Sequence, residues 1–195
     1  MKSQILPALR MFLALTLLTG VVYPLVVTLA AKTVFPRQAR GSVITVDGKI
    51  VGSELLAQRF GGANYFWPRP SAGDDGTNYA TVASAASNKG PTASDLKSNV
   101  TDRATSFRIA HGLASDAPVP SEMLFASGSG LDPHISPETA RLQIERVSAA
   151  RKFSAEQRQQ LTTLVEQFIE PPQLGFLGEP RVNVLKLNLT LDALR

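Results

Sequence analysis

Between Arg10 and Lys32 the chain runs for twenty-one residues, MFLALTLLTGVVYPLVVTLAA, without a charged side chain. A helix rises about 1.5 Å per residue, so this run is roughly 30 Å long, the thickness of a bilayer's hydrocarbon core. Nothing polar interrupts either face, which argues against a helix buried in a protein core. Residues 33–195 hold no second run of this kind. The expected organisation is a short N-terminus (1–10), a transmembrane helix (11–31) and one soluble domain (32–195). A cleaved signal peptide is the competing reading, with Lys2 and Arg10 as its basic region and Thr28-Leu29-Ala30 near a cleavage site. Signal cores run only about 7–15 residues, and membrane helices tolerate a central proline such as Pro24. Gly20 lies four residues after Thr16 and four before Pro24, a spacing of small residues that lets another helix approach closely; the alternative is a plain lipid-facing anchor. With no charge in the run, this helix alone cannot relay protons or conduct ions. Lys2 and Arg10 on one flank nearly balance Lys32, Arg37 and Arg40 on the other, so the flanks leave the orientation open.

Charge and composition exclude several functions. Of the formal charge of +4, Lys2 and Arg10 supply two, and the remainder of the chain is close to balanced. No basic stripe with interleaved aromatics occurs, which argues against a nucleic-acid partner. There is no cysteine and there are two histidines, His111 and His134, so no zinc site of three or four nitrogen and sulfur ligands can be assembled. Asp74-Asp75-Gly76-Thr77-Asn78 offers oxygen ligands at the wrong spacing for an EF-hand. No G-x-x-x-x-G-K-[ST] phosphate loop is present.

Local signals predict the elements of the soluble part. Val43 to Val51 reads as a hairpin around Asp47-Gly48. Ser53 is a candidate cap for a short helix from Glu54 to Phe60, and Tyr65 to Trp67 reads as a short extended piece before Pro68. Residues 71–91 read as a long loop, with Tyr79 favouring an ordered one. Leu96, Val100, Ala104, Phe107 and Ala110 keep a helical period up to Gly112; His111, near that end, reads as a structural or surface histidine where a cation is mildly favoured. Met123 to Ala126 reads as a strand. Ser136-Pro137 starts a helix that buries Ala140, Ile144 and Val147, turns Arg141, Glu145 and Arg151 outward and sets Gln143 off the apolar stripe. Ser154-Ala155-Glu156-Gln157 is a capping box for a helix burying Leu161, Leu164, Val165 and Phe168 and ending at Glu170-Pro171-Pro172. Arg181 to Leu191 reads as a long strand with a bulge at Val184-Leu185.

The segment Ser127-Gly128-Ser129-Gly130-Leu131-Asp132-Pro133-His134 is the sharpest local feature. As catalysis it offers Ser127 or Ser129 as nucleophile, His134 as base and Asp132 as orienter, the arrangement of a membrane-anchored hydrolase. Three triad members within eight residues rarely reach that geometry. The simpler reading is a tight loop in which Asp132 and Ser136 satisfy local backbone groups.

Five motifs in order carry a family resemblance: Tyr65-Phe66-Trp67-Pro68-Arg69-Pro70-Ser71-Ala72; Ala86-Ser87-Asn88; Ser127 to Pro137; Gln143 with Arg146-Val147 and Ala150-Arg151; and Gly178-Glu179-Pro180-Arg181-Val182-Asn183-Val184-Leu185. Together with the N-terminal span they resemble the KdpC family, the C subunits of bacterial Kdp potassium-transporting ATPases. Phe125, where Thr is usual, and Ala85, where Gly is common, depart from that pattern outside its most specific motif.

The resemblance implies an accessory subunit with no catalysis of its own in a P-type ATPase complex of the bacterial inner membrane. It implies a cytoplasmic N-terminus, a periplasmic domain, and as partners a channel-like potassium-translocating subunit, a P-type ATPase subunit and a small single-span subunit. It implies a catalytic chaperone that raises the pump's affinity for ATP, with Gln143 as a nucleotide contact; the chain would have no cofactor of its own, and ATP would come through the complex. On that implied topology a periplasmic domain cannot reach cytoplasmic nucleotide, and the missing phosphate loop points the same way, so the expected role is docking over the outer entrance of the channel-like subunit. The expected fold is α+β: one anchor helix, about three further helices, and a small sheet that includes the last strand.

Overall fold

The computed structural model describes residues 2–71 and 84–194. The loop reading around Tyr79 lies outside them. Contacts gather the chain into two compact units, Met1–Ser53 and Glu54–Arg195, and the architecture is α+β.

In the first unit, α1 (Lys2–Leu17), a π-helical turn (Leu18–Val22) and α2 (Tyr23–Val34) follow one another directly. Gln4–Val34 forms a helix of 31 residues containing an 18-residue stretch of mean hydropathy 2.2, long and apolar enough to cross a bilayer. Pro24 causes the π turn. It has no N–H to return to Gly20, and the register widens so that Tyr23 N–H reaches the carbonyl of Leu18. A short helix α3 (Pro36–Ala39) precedes the antiparallel pair β1 (Val43–Val46) and β2 (Lys49–Ser53). Val46 faces Lys49 across Asp47 (φ 50°) and Gly48 (φ 75°), the two left-handed positions that the Asp-Gly signal demands.

The second unit holds α4 (Ser94–His111), a 3₁₀ turn (Ser121–Met123), β3 (His134–Ile135), α5 (Pro137–Arg151), α6 (Ala155–Gln167), β4 (Ile169–Glu170), β5 (Arg181–Asn183) and α7 (Val184–Ala193). The three short strands form an antiparallel sheet in the order β3-β5-β4, with Val182 opposite both Ile135 and Ile169. Helices α4 to α7 and this sheet enclose one core, including Phe66, Phe107, Ile144, Val147, Leu161, Val165, Leu187 and Leu191. A fully buried side chain of this kind is worth about 2 kcal/mol, so these positions carry most of the fold's stability.

The caps behave as the sequence signals them. Ser136 accepts from Thr139 N–H, Ser154 and Gln157 complete their capping box, and Gly112 closes α4 at φ 62°.

Five local expectations are corrected. Arg181 to Leu191 is not one strand: the phase slip at Val184 is a switch to helix, capped by Asn183 accepting from Lys186 N–H. Residues 54–60 form no helix but a turn at 54–56 followed by irregular chain, because long-range partners take its backbone. Asn183 donates to the Glu54 carbonyl, and Ala57 N–H donates to Leu131 O at 2.9 Å. Met123 ends a 3₁₀ turn and starts no strand. Gln143 lies on the buried face of α5, fully covered, and Arg151 folds back onto Asn64. Helix α6 ends at Gln167, and Ile169–Glu170 joins the sheet.

Candidate functional site

A turn at Gly62–Tyr65, closed by Tyr65 N–H on Gly62 O, leads into a stretch from Phe66 to Pro70 that pairs with no strand among the described residues. Pro68 and Pro70 in that stretch cannot donate to a ladder. Side chains of α5 and α7 stand in for the missing strand. Trp67 N–H donates to Gln143 Oε1 at 2.7 Å, and Gln143 Nε2 donates back to Trp67 O at 3.1 Å. One residue earlier, Phe66 N–H donates to Asn188 Oδ1 (2.8 Å) and Asn188 Nδ2 donates to Phe66 O (2.9 Å). Each amide thus copies a two-bond backbone pair, and both are buried, so each satisfies groups that water cannot reach.

Arg146 completes the latch. Its guanidinium donates to Ala63 O (2.5 Å), Tyr65 O (2.9 Å), Gln143 Oε1 (2.7 Å) and His111 Nε2 (3.0 Å). It also lies 4.1 Å from the centroid of the Trp67 ring, a cation–π contact. Burial lowers its pKa to about 10, so it stays charged at neutral pH.

An arginine Nε–H only donates, which makes His111 Nε2 an acceptor and leaves Nδ1 to donate to Phe107 O at 2.8 Å. The ring is therefore neutral. Burial is the main reason its pKa falls to about 4, and the Arg146 charge adds to the fall. The structural reading of His111 holds; the favourable helix-end cation does not, because a guanidinium faces it.

Farther out, Arg151 donates to Asn64 O (2.8 Å) and Asp192 (2.6 Å), while the Tyr65 hydroxyl donates to the same carboxylate at 3.1 Å.

The motif loop sits elsewhere. Ser127 Oγ and Ser129 Oγ are 3.3 Å apart, Leu131 N–H donates to Ser129 Oγ (3.2 Å), and Gly130 (φ 68°) turns the chain with its N–H on Ser127 O. Gly128 is exposed. Asp132 accepts from His134 N–H (3.0 Å), faces His134 Nδ1 at 3.2 Å and pairs with Arg69 at 3.0 Å. Burial opposes the Asp132 charge, but the His134 hydrogen bonds and the Arg69 charge outweigh it and hold the pKa below the usual carboxylate range. Among the described residues no hydrogen bond joins either serine hydroxyl to the His134 ring. Leu131 O accepts from Ala57, and Pro133 O accepts from Val184, so the loop ties three stretches of chain together.

A cleft of about 420 Å³ has Trp67, Arg59, Arg69, Arg103 and Phe60 in its wall. Gln143 holds Trp67 while the motif loop reaches Arg69 through Asp132, and among the described residues no hydrogen bond joins Gln143 to that loop. Thr16, Gly20 and Pro24 lie on the exposed surface of the N-terminal helix, and a side chain added at Gly20 would meet nothing within 4 Å. Sequence reasoning missed Arg146, His111 and Asn188 as one network. Asn183 and Asn188 inside an apolar run were the available signal.

The chain matches the family model described as "K+-transporting ATPase, c chain" over residues 5–193. It is 50% identical over 195 residues to the potassium-transporting ATPase KdpC subunit of Gemmatimonas aurantiaca, covering all of this chain and 94% of the relative. It is equally identical to the KdpC subunit of Methylococcus capsulatus with both chains fully covered, and 46% identical over 194 residues to that of Mycobacterium bovis, again fully covered. The match runs nearly end to end, and the chain belongs to the KdpC family.

Proposed function

We propose that this chain is the membrane-anchored, non-catalytic C subunit of an ATP-driven potassium uptake complex, and that its soluble part works by docking. The observation that carries the reading is the full-length similarity to relatives named KdpC subunits, on a chain with one span-length helix. The partners are a channel-like potassium-translocating subunit, a P-type ATPase subunit and a small single-span subunit. The helix over 11–31 sits in the bacterial inner membrane with residues 1–10 cytoplasmic and 32–195 periplasmic. Thr16, Gly20 and Pro24 present the face on which a neighbouring helix packs. The soluble part stabilises the assembly or tunes ion entry at the outer mouth of the channel-like subunit.

Any gain in the pump's affinity for ATP passes through subunit contact. The residues around Gln143 do not fit a nucleotide held by that amide. Its oxygen accepts from Trp67 and Arg146, its nitrogen donates to Trp67, and the side chain is fully buried. Turning it to a ligand would strand buried groups at about 1–3 kcal/mol each. We assign Gln143 to the latch that holds the Tyr65–Trp67 segment. The test of docking is a truncation that keeps the span and deletes residues 40–195. Potassium transport and potassium-stimulated ATPase activity fall sharply if docking matters; both surviving unchanged would refute it.

A further inference from the structure

The connection between β4 and β5 carries the least explained surface of the second unit. Residues 171–178, PPQLGFLG, contain no charge. Gln173 and Leu177 pair as an isolated antiparallel bridge, with Gln173 N–H on Leu177 O and Leu177 N–H on Gln173 O, both at 2.9 Å. The pair closes a tight tip at Leu174 and Gly175, whose φ values are +53° and +82°. A left-handed leucine is strained; such strain is found where a conformation serves something outside local stability. The tip holds its apolar side chains in water: Leu174 is 82% exposed, Phe176 74% and Leu177 50%. Three large apolar side chains on four consecutive residues, raised on a hydrogen-bonded finger from a rigid sheet, form a surface shaped to be covered.

We infer that this finger is a docking element that inserts Leu174 and Phe176 into an apolar crevice of another subunit of the complex. The inference rests on the accessory-subunit reading and names the surface that performs the docking. Two observations favour protein over lipid. The finger has no Trp, Tyr, Lys or Arg, the residues that seat a loop among headgroups. The exposed Glu179 flanks it, and the charge of Glu170 on the other side is met by Arg181 at 3.1 Å, so the flanks present no net positive charge to an anionic membrane surface. The crevice is therefore apolar within.

The absence of native cysteine makes the test clean. Gln173→Cys in the full chain gives one attachment point for an environment-sensitive thiol fluorophore beside an intact apolar tip. The probe is read in the complex purified with its partner subunits, in the full chain alone in detergent, and in the full chain alone in nanodiscs of phosphatidylethanolamine and phosphatidylglycerol. The expected result is a blue shift and loss of iodide quenching in the complex alone. A solvent-exposed signal in an otherwise complete complex overturns the finger and leaves the subunit reading standing. An equal shift in nanodiscs assigns the finger to lipid, and a concentration-dependent shift in detergent assigns it to a second copy; either overturns the proposal. Failure to form any complex overturns both readings. As a second variant, Leu174→Ser with Phe176→Ser lowers recovery in the complex by about tenfold or more without changing the chain's own melting temperature, as loss of an interface anchor does. Unchanged recovery overturns the proposal.

Discussion

At the scale of single residues, the latch around Trp67 is where this chain concentrates its buried polarity. Gln143→Leu keeps the volume but leaves Trp67 N–H, Trp67 O and one Arg146 donor without their partner. The expected cost is about 2–4 kcal/mol, read by urea unfolding. Trp67 is the single tryptophan, so its emission reports the latch directly and shifts to the red in that variant. A latch that played no part would leave the emission where it was. His111 makes a second prediction. In the folded chain its pKa is about 4, against about 6.5 when unfolded, so the unfolded chain takes up the proton first. The stabilising contribution is complete above pH 6.5 and is lost as the pH falls from there towards 4. The ring is only partly buried, so the loss is discounted to about 1–2 kcal/mol. Unfolding followed from pH 7.5 to 4.5 should show this loss in the parent chain and a flatter profile in His111→Gln.

At the scale of elements, what the sequence makes legible is what local chemistry decides. Asp47-Gly48 sets its hairpin, Ser136-Pro137 and Ser154-x-x-Gln157 set their helices, and Gly112 ends α4. Each of those signals is satisfied within a few residues. The misread segments are those whose partners lie far along the chain. Leu185, Leu187, Leu189 and Leu191 alternate with polar residues in strand fashion, yet this stretch is helical. Asn188 is the reason: its amide is needed in the core to hold Phe66, 122 residues away, and the Asn183 cap starts a helix that delivers it there. The missing helix at residues 54–60 has the same cause, since Asn183 also claims the Glu54 carbonyl. Both functions of Asn183 are lost in Asn183→Ala. The expected destabilisation is about 2–3 kcal/mol, one cap and one part-buried hydrogen bond, measured by thermal or urea unfolding. A change below about 0.5 kcal/mol would separate the cap from the fold. The candidate site was half legible: the motifs pointed to its segments, but only the packing of α5 and α7 around an unpaired stretch of chain reveals that Gln143, Arg146 and Asn188 share one task.

At the scale of the whole molecule, the chain joins a span-length apolar helix to a soluble body whose polar residues are spent on holding itself together. The serine hydroxyls of the motif loop bond each other, Asp132 is committed to Arg69 and His134, and Gln143 is committed to the latch. Such a body is suited to being recognised, which agrees with an accessory role in potassium uptake. Co-purification tests that account most directly. The tagged full-length chain is expressed with the other subunits of the potassium-transporting ATPase, solubilised from membranes in mild detergent and recovered through its tag. The account predicts that the other subunits come with it in fixed ratio and that the pool carries potassium-stimulated ATPase activity. Recovery of the intact chain alone, with the other subunits and all of that activity in the unbound fraction, would contradict it.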